Sequence, residues 1–138
     1  FIPSPCTAPP WNQLVAVDMS VGEIKWKVPF GVLDKMLPIP VPIIPPLNWG
    51  VPSAGGPIVT AGSLIFIGAT ADSRFRAFDI DTGEELWQDI MPTSAMATPM
   101  TYEAGGRQFV VIAAGGHSWY YAHGVNDYLL AYALPEAQ

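Results

Sequence analysis

The chain has 138 residues, half of them hydrophobic and 13% charged, with a net charge of −6. That is the length of about one domain, with ample apolar material for a core, and its scattered Asp and Glu residues offer no electrostatic footprint for nucleic acid. Fifteen prolines and thirteen glycines argue against long helices, and a single cysteine, Cys6, excludes an internal disulfide.

In chain order, the first strands expected are Leu14–Asp18 and Glu23–Val28, joined by a turn in the stretch AVDMSVGEIKW (16–26). The Pro-rich segment that follows contains MLPIPVPIIPPL (36–47). It is the most apolar stretch, yet prolines break it and it falls far short of the roughly 20 residues a membrane helix needs. Next come Gly56–Thr60 and Ser63–Gly68, separated by a tight Ala61-Gly62 connection, then Arg74–Ile80 and Glu84–Asp89 around a second turn. Thr98–Glu103 and Gln108–Ala113 form another hairpin, and Tyr128–Leu134 closes the series. Runs such as LIFI and FVVI are apolar at successive positions, so both faces of their sheets are expected to be covered.

The second turn repeats the first. AFDIDTGEELW (77–87) matches AVDMSVGEIKW at five offsets: Ala16/Ala77, Asp18/Asp79, Gly22/Gly83, Glu23/Glu84 and Trp26/Trp87. The Asp is expected to fold the turn through its side chain, the Gly to supply positive φ, and the Trp to wedge between neighbouring sheets. Two strands, then four, then three, at a period near 55–60 residues, is the pattern of β-propeller blades. The expected parts are a half blade (14–28), a Pro-rich loop (29–55), a full blade (56–89) and a three-stranded last blade (95–135). In a four-stranded meander the second-to-third and fourth-to-first connections share one face. The Pro-rich loop, GATAD (68–72), MPTSAMA (91–97) and AGGHSWYYAHGVND (114–127) therefore lie together, opposite the Asp turns.

PSAGGPIVTAG, FIGATADSRFRAFD, TGEELW, ATPMTYEAGGRQFVVIAAGGH and DYLLAYALP, with PCTAPPW at 5–11, resemble the carboxy-terminal blades of the quinoprotein dehydrogenases, in particular the membrane-bound glucose/quinate/shikimate group. The resemblance covers nearly all of residues 5–135. It implies an all-β, eight-bladed propeller of which this chain supplies about two and a half blades, the start on Phe1 fitting a piece of something longer. It also implies oxidation of a sugar or cyclic polyol with pyrroloquinoline quinone (PQQ) and a Ca²⁺ or Mg²⁺ ion, electron transfer to ubiquinone, and a parent protein at the periplasmic face of the inner membrane. The catalytic base, the metal ligands and most PQQ contacts are expected outside this chain, leaving it inactive alone. Its open blade edges are expected to associate with the rest of the propeller or with another copy.

Four residues are candidates for the substrate and cofactor pocket. The resemblance sets His117, in GGH, near the substrate and Asp72, in GATAD, near the cofactor or metal; the alternative for His117 is a structural or solvent-exposed side chain, and for Asp72 a cap on the following strand. Trp49 either covers the pocket or anchors the core. Trp119, in a loop that is bulkier than the small, Gly-rich one of the relatives, would stack on a sugar or cyclitol, narrow the pocket or touch a neighbouring blade. Asp79 and Asp81 could be a carboxylate pair, but their place in the turn on the opposite face favours turn-making. His123 has no third ligand nearby. Arg74 and Arg76 are expected to make blade-edge salt bridges. The reading from a different class is a non-catalytic propeller scaffold that binds peptides by strand addition.

Overall fold

The computed structural model describes residues 6–34, 47–116 and 124–135, and every regular element in them is a strand. These are β1 (Gln13–Asp18), β2 (Glu23–Pro29), β3 (Ile58–Val59), β4 (Leu64–Ile67), β5 (Arg74–Asp79), β6 (Glu85–Ile90), β7 (Met100–Ala104), β8 (Arg107–Gly116) and β9 (Val125–Tyr132). They form three antiparallel sheets, β1-β2, β3-β4-β5-β6 and β7-β8-β9, each in plain sequence order. Among the described residues no helix is long and apolar enough to cross a membrane.

The strands differ from expectation at their ends for local reasons. Pro57 and Pro99 have no N–H to give a ladder, so the innermost strands start at Ile58 and Met100 rather than at Gly56 and Thr98. Conversely, Gly116 pairs with Val125, which carries β8 and β9 into the segment expected to be loop.

The repeated turns are built alike. Asp79 Oδ1 accepts from the amides of Asp81 (2.9 Å) and Thr82 (2.8 Å) and from the Thr82 hydroxyl, while Asp18 Oδ1 accepts from Ser20 N and Oγ. Gly22 and Gly83 follow with φ of +74° and +75°. A feature absent from the sequence pattern also repeats: the register slips at Ala16/Val17 in β1-β2 and at Ala77/Phe78 in β5-β6. These bulges immediately follow the Ala16–Trp26 and Ala77–Trp87 pairs, and a bulge re-aims its neighbours by twisting the strand.

The core lies in the seams between sheets. Along β4, Ile65 and Ile67 face the first sheet with Phe30, Phe78, Leu14, Trp26 and Val28. Phe66 faces the third, where Phe75, Met91, Ile112, Leu130 and Tyr132 gather. Period-two alternation thus lets one four-residue strand feed both seams.

Candidate functional site

Antiparallel order puts the β2–β3, β4–β5, β6–β7 and β8–β9 connections at one end of the sheets. Backbone hydrogen bonds join them there: Ala54 N to Ala69 O (2.9 Å), Ala69 N to Ala95 O (2.7 Å), Met91 N to Ser73 O (2.8 Å) and Gly116 N to Ser94 O (2.9 Å). Gly68 allows the approach, since a Cβ there would stand 2.7 Å from Ile112 Cδ1 and 2.9 Å from Ala95 O. The loop after it is strained. Ala69 and Ser73 hold φ of +56° and +60°, a region that costs a non-glycine residue about 1–3 kcal/mol and persists only where surroundings impose it.

Asp72 sits between those two residues, fully buried. Its carboxylate accepts from Thr70 Oγ1 (2.6 Å), Val32 N (2.9 Å) and Arg74 N (3.1 Å), and it pairs with the Arg76 guanidinium. Burial pushes this acid up, but the Arg76 charge and hydrogen bonds, with Thr70 and Val32, outweigh it and hold it below the ordinary carboxylate range. Arg76 is itself buried, reaches Glu85 (3.2 Å) and lies over the Phe30 ring at 5.6 Å. Arg74 forks onto Asp34 at 3.0 and 2.6 Å. Arg74 thus reaches across to the segment after β2, while Arg76 pairs within its own sheet, with Asp72 before β5 and Glu85 on β6; neither is the blade-edge bridge expected, because β5 is the buried third strand of its sheet.

Asp72 therefore caps β5 through Arg74 N and ties the segment after β2 to the β4–β5 loop. Trp49 is 41% exposed and packs edge-on against Trp11 with centroids 5.7 Å apart. Its backbone is held by Trp11 N (2.6 Å), and Gly50 leaves no room for a Cβ against the Asn12 backbone. His117, Trp119 and His123 lie outside the described residues. Trp26 docks on the turn of the next sheet: its indole N–H donates to Ile80 O (2.9 Å), and a Cβ on Gly83 would stand 2.6 Å from its ring. Trp87 meets Tyr132 and Phe75 at 5.3 and 6.0 Å. Asp81 pairs with Lys25 at the opposite end, in an exposed contact.

Two polar features escaped sequence reasoning. Asn12 Nδ2 lies within hydrogen-bond reach of Phe30 O, Val51 O and Ser53 Oγ, tying the end of β2 to the stretch before β3. Thr93 is buried, and its hydroxyl has no partner among the described residues. For Arg76 a signal existed: an arginine in the buried strand RFRAFD demands a counter-charge, and Asp72 stands four residues before it. Asn12 and Thr93 carry no such signal.

A cleft of about 310 Å³ opens in the first seam, walled by Phe30, Arg74, Arg76, Phe78, Glu85 and Gln88. Of the connecting segments it is the one after β2 that reaches it, through Phe30, Gly31, Val32 and Asn48. Among the described residues no three His, Cys, Asp or Glu side chains converge as metal ligands.

The profile of the family described as "PQQ: Glucose/ethanol/alcohol dehydrogenase, beta-propeller domain" matches residues 2–110. Quinoprotein glucose dehydrogenase of Escherichia coli (strain K12) is 46% identical over 132 residues, 96% of this chain and 16% of that protein. The quinate/shikimate dehydrogenase (quinone) of Acinetobacter baylyi is 39% identical over 132 residues, 94% of this chain and 16% of that one. Among solved structures, a quinohemoprotein alcohol dehydrogenase from Pseudomonas putida HK5 superposes with a TM-score of 0.56 at 33% identity, over 75% of this chain and 12% of its own. A europium-containing methanol dehydrogenase gives 0.56 at 28% identity, over 75% and 15%. The chain thus spans about a sixth of the curated relatives it matches. Strand order, docked tryptophans and these matches agree: the chain belongs to the PQQ glucose/ethanol/alcohol dehydrogenase β-propeller family.

Proposed function

We propose that the chain is part of a PQQ-dependent dehydrogenase that oxidises a C–OH group of a sugar or cyclic polyol such as glucose, quinate or shikimate. Electrons pass to a quinone, ubiquinone in the membrane, at the periplasmic face. The observation that carries this reading is the 46% identity to a quinoprotein glucose dehydrogenase across 96% of the chain. The relatives that cover nearly the whole chain are named for glucose, glycerol, quinate and shikimate, all polyhydroxylated compounds, whereas a 1-butanol dehydrogenase matches over 46% of it.

When bound, PQQ would supply a hydride acceptor and a Ca²⁺ or Mg²⁺ ion a Lewis acid for oxidation at the C–OH group. The residues of this chain suit a supporting role toward such a group. The Asp72 carboxylate is filled by internal donors, so it positions the β4–β5 loop and the segment after β2. Thr93 Oγ1 is the unfilled hydroxyl on the same face. Trp49 forms part of the rim, His117 hydrogen-bonds a substrate hydroxyl or the quinone, and Trp119 stacks on the ring. The base, the metal ligands and most PQQ contacts come from the remainder of the protein, which also covers the open edges of these sheets. The chain alone is inactive.

The test is a dye-linked assay on the full-length protein reconstituted with PQQ and Ca²⁺ or Mg²⁺, offered glucose, quinate and shikimate separately. Turnover of one of them supports the reading and names the substrate. A protein that neither binds PQQ nor turns over any of the three overturns it.

A further inference from the structure

The open cleft between the first two sheets holds about 310 Å³, at the small end of the roughly 300–1,000 Å³ usual for ligand pockets. Both of its walls are complete in this chain. One is β5 with β6, the outer two strands of the four-stranded sheet; the other is the end of β2 with the segment that follows it. No β1 residue lines the cleft. In the repeat β1 matches β5 and β2 matches β6, so strands completing the first sheet would add beyond β1, on the side away from the cleft.

Most of the polar groups around it are already paired. Phe30 N donates to Asn12 O, Phe30 O accepts from Val51 N, Gly31 O accepts from Gly50 N, and Val32 N donates to Asp72. Arg74 forks onto Asp34, and Arg76 holds Asp72 and Glu85. Left over are the exposed amides of Asn48 and Gln88, which have no partner among the described residues. Beside them stands Glu85, whose side chain is 37% exposed and engaged through Oε2. An amide donates and accepts, and a free carboxylate oxygen accepts.

Charge narrows the choice of ligand. Two guanidinium groups meet three carboxylates, Asp34, Asp72 and Glu85, which leaves one surplus negative charge to repel an anion. A cation would find each of those carboxylates already held by an arginine. What fits is a neutral molecule whose groups donate and accept at once, with C–H surface to set against Pro29, Val32 and Phe30. We propose that this cleft binds a small neutral polyol, one sugar ring or cyclitol, with its hydroxyls held by Asn48, Gln88 and Glu85. The lining alone carries this, independently of the dehydrogenase reading.

Full-length protein free of PQQ and metal ion is titrated with glucose, myo-inositol and gluconate, and binding is read by calorimetry and ligand-observed saturation-transfer NMR. Wild type binds the two neutral compounds, and gluconate several-fold more weakly. Gln88→Trp, which fills the cleft from an exposed position on β6, weakens inositol binding about threefold or more. Gln88→Ala, which removes only the amide, reads the same loss if the tryptophan variant does not fold. Inositol affinity within about threefold of wild type in both variants overturns the proposal. So does a wild type that binds no inositol at millimolar concentration, or one that binds gluconate as tightly as glucose. Inositol held in the cleft of a protein that oxidises no C–OH compound supports the site and overturns only the functional reading.

Discussion

The two seams between sheets have the same tryptophan motif and opposite chemistry. In the first, Trp26 reaches across to Ile80 O and Gly83, and Arg76 brings a buried charge answered by Asp72 and Glu85. In the second, the β9 position matching Arg76 in the strand pairing is Leu130, packed among Phe75, Ile112 and Tyr132. Trp87 there meets rings and not a turn. Packing of sheets therefore does not require the ion network. What the charged seam adds is a tie between the segment after β2 and the β4–β5 loop, through Val32 N and Asp72. That tie, with the Arg76 and Glu85 partners, offsets the desolvation of two charges and fixes one arrangement of the two segments.

The most disruptive way to break this contrast is Arg76→Leu, which copies the second seam into the first but strands the buried Asp72 charge. The expected loss is about 3–5 kcal/mol, read by urea unfolding of the full-length protein; adding Asp72→Asn recovers part of it. Asp72 also gives a pH signature. Its folded carboxylate titrates below the ordinary range, so its contribution is present above the unfolded value of about 4 and is lost as pH falls through the folded one. Stability of Asp72→Asn should be flatter with pH in that acidic window; an unchanged slope would remove Asp72 from the account.

Gly83→Ala comes next, at about 2–4 kcal/mol, because it adds a methyl group against the Trp26 ring and strains a residue at φ +75°. Gly106→Ala, at φ +74° with open space around it, carries only the backbone part, about 1–2 kcal/mol. Equal costs would mean that the turn does not receive the tryptophan. Trp26→Phe should cost about 1–2 kcal/mol for the lost bond to Ile80 O and more than Trp87→Phe; the reverse order would dissolve the distinction between seams. The smallest effect is Tyr132→Phe, about 0.5–1.5 kcal/mol, for its 2.9 Å bond to Asp89. Burial and that carboxylate push the phenol upward, so the contribution should fade as pH rises above about 10, visible in alkaline melting curves of wild type but not of the variant.

Most of the strand pattern was legible because it is local. Alternating apolar runs, the Asp and Gly of each turn and the spacing of the tryptophans are set by periodicity and φ preference, which neighbours in sequence express. The ends slipped where a proline or a strand partner decided, as at Ile58 and Gly116. The site was less legible. Asp72 was noticed for its loop, but the donors that fill it come from Val32 and Arg76, on segments that only folding brings near. Thr93 had no sign at all, since an unpaired hydroxyl is a fact about surroundings.

By itself the sequence determined three sheets, the faces their connections share and the turns that carry the tryptophans, because backbone preferences and two-residue alternation act over a few residues. Only the tertiary structure decided which seam holds the ions, where the bulges re-aim the strands, and which polar atoms are spent and which remain. Those outcomes depend on burial and on partners many positions apart, as Asn12 shows by reaching the carbonyls of Phe30 and Val51 from before β1. The free energy of a buried polar group is fixed by what surrounds it.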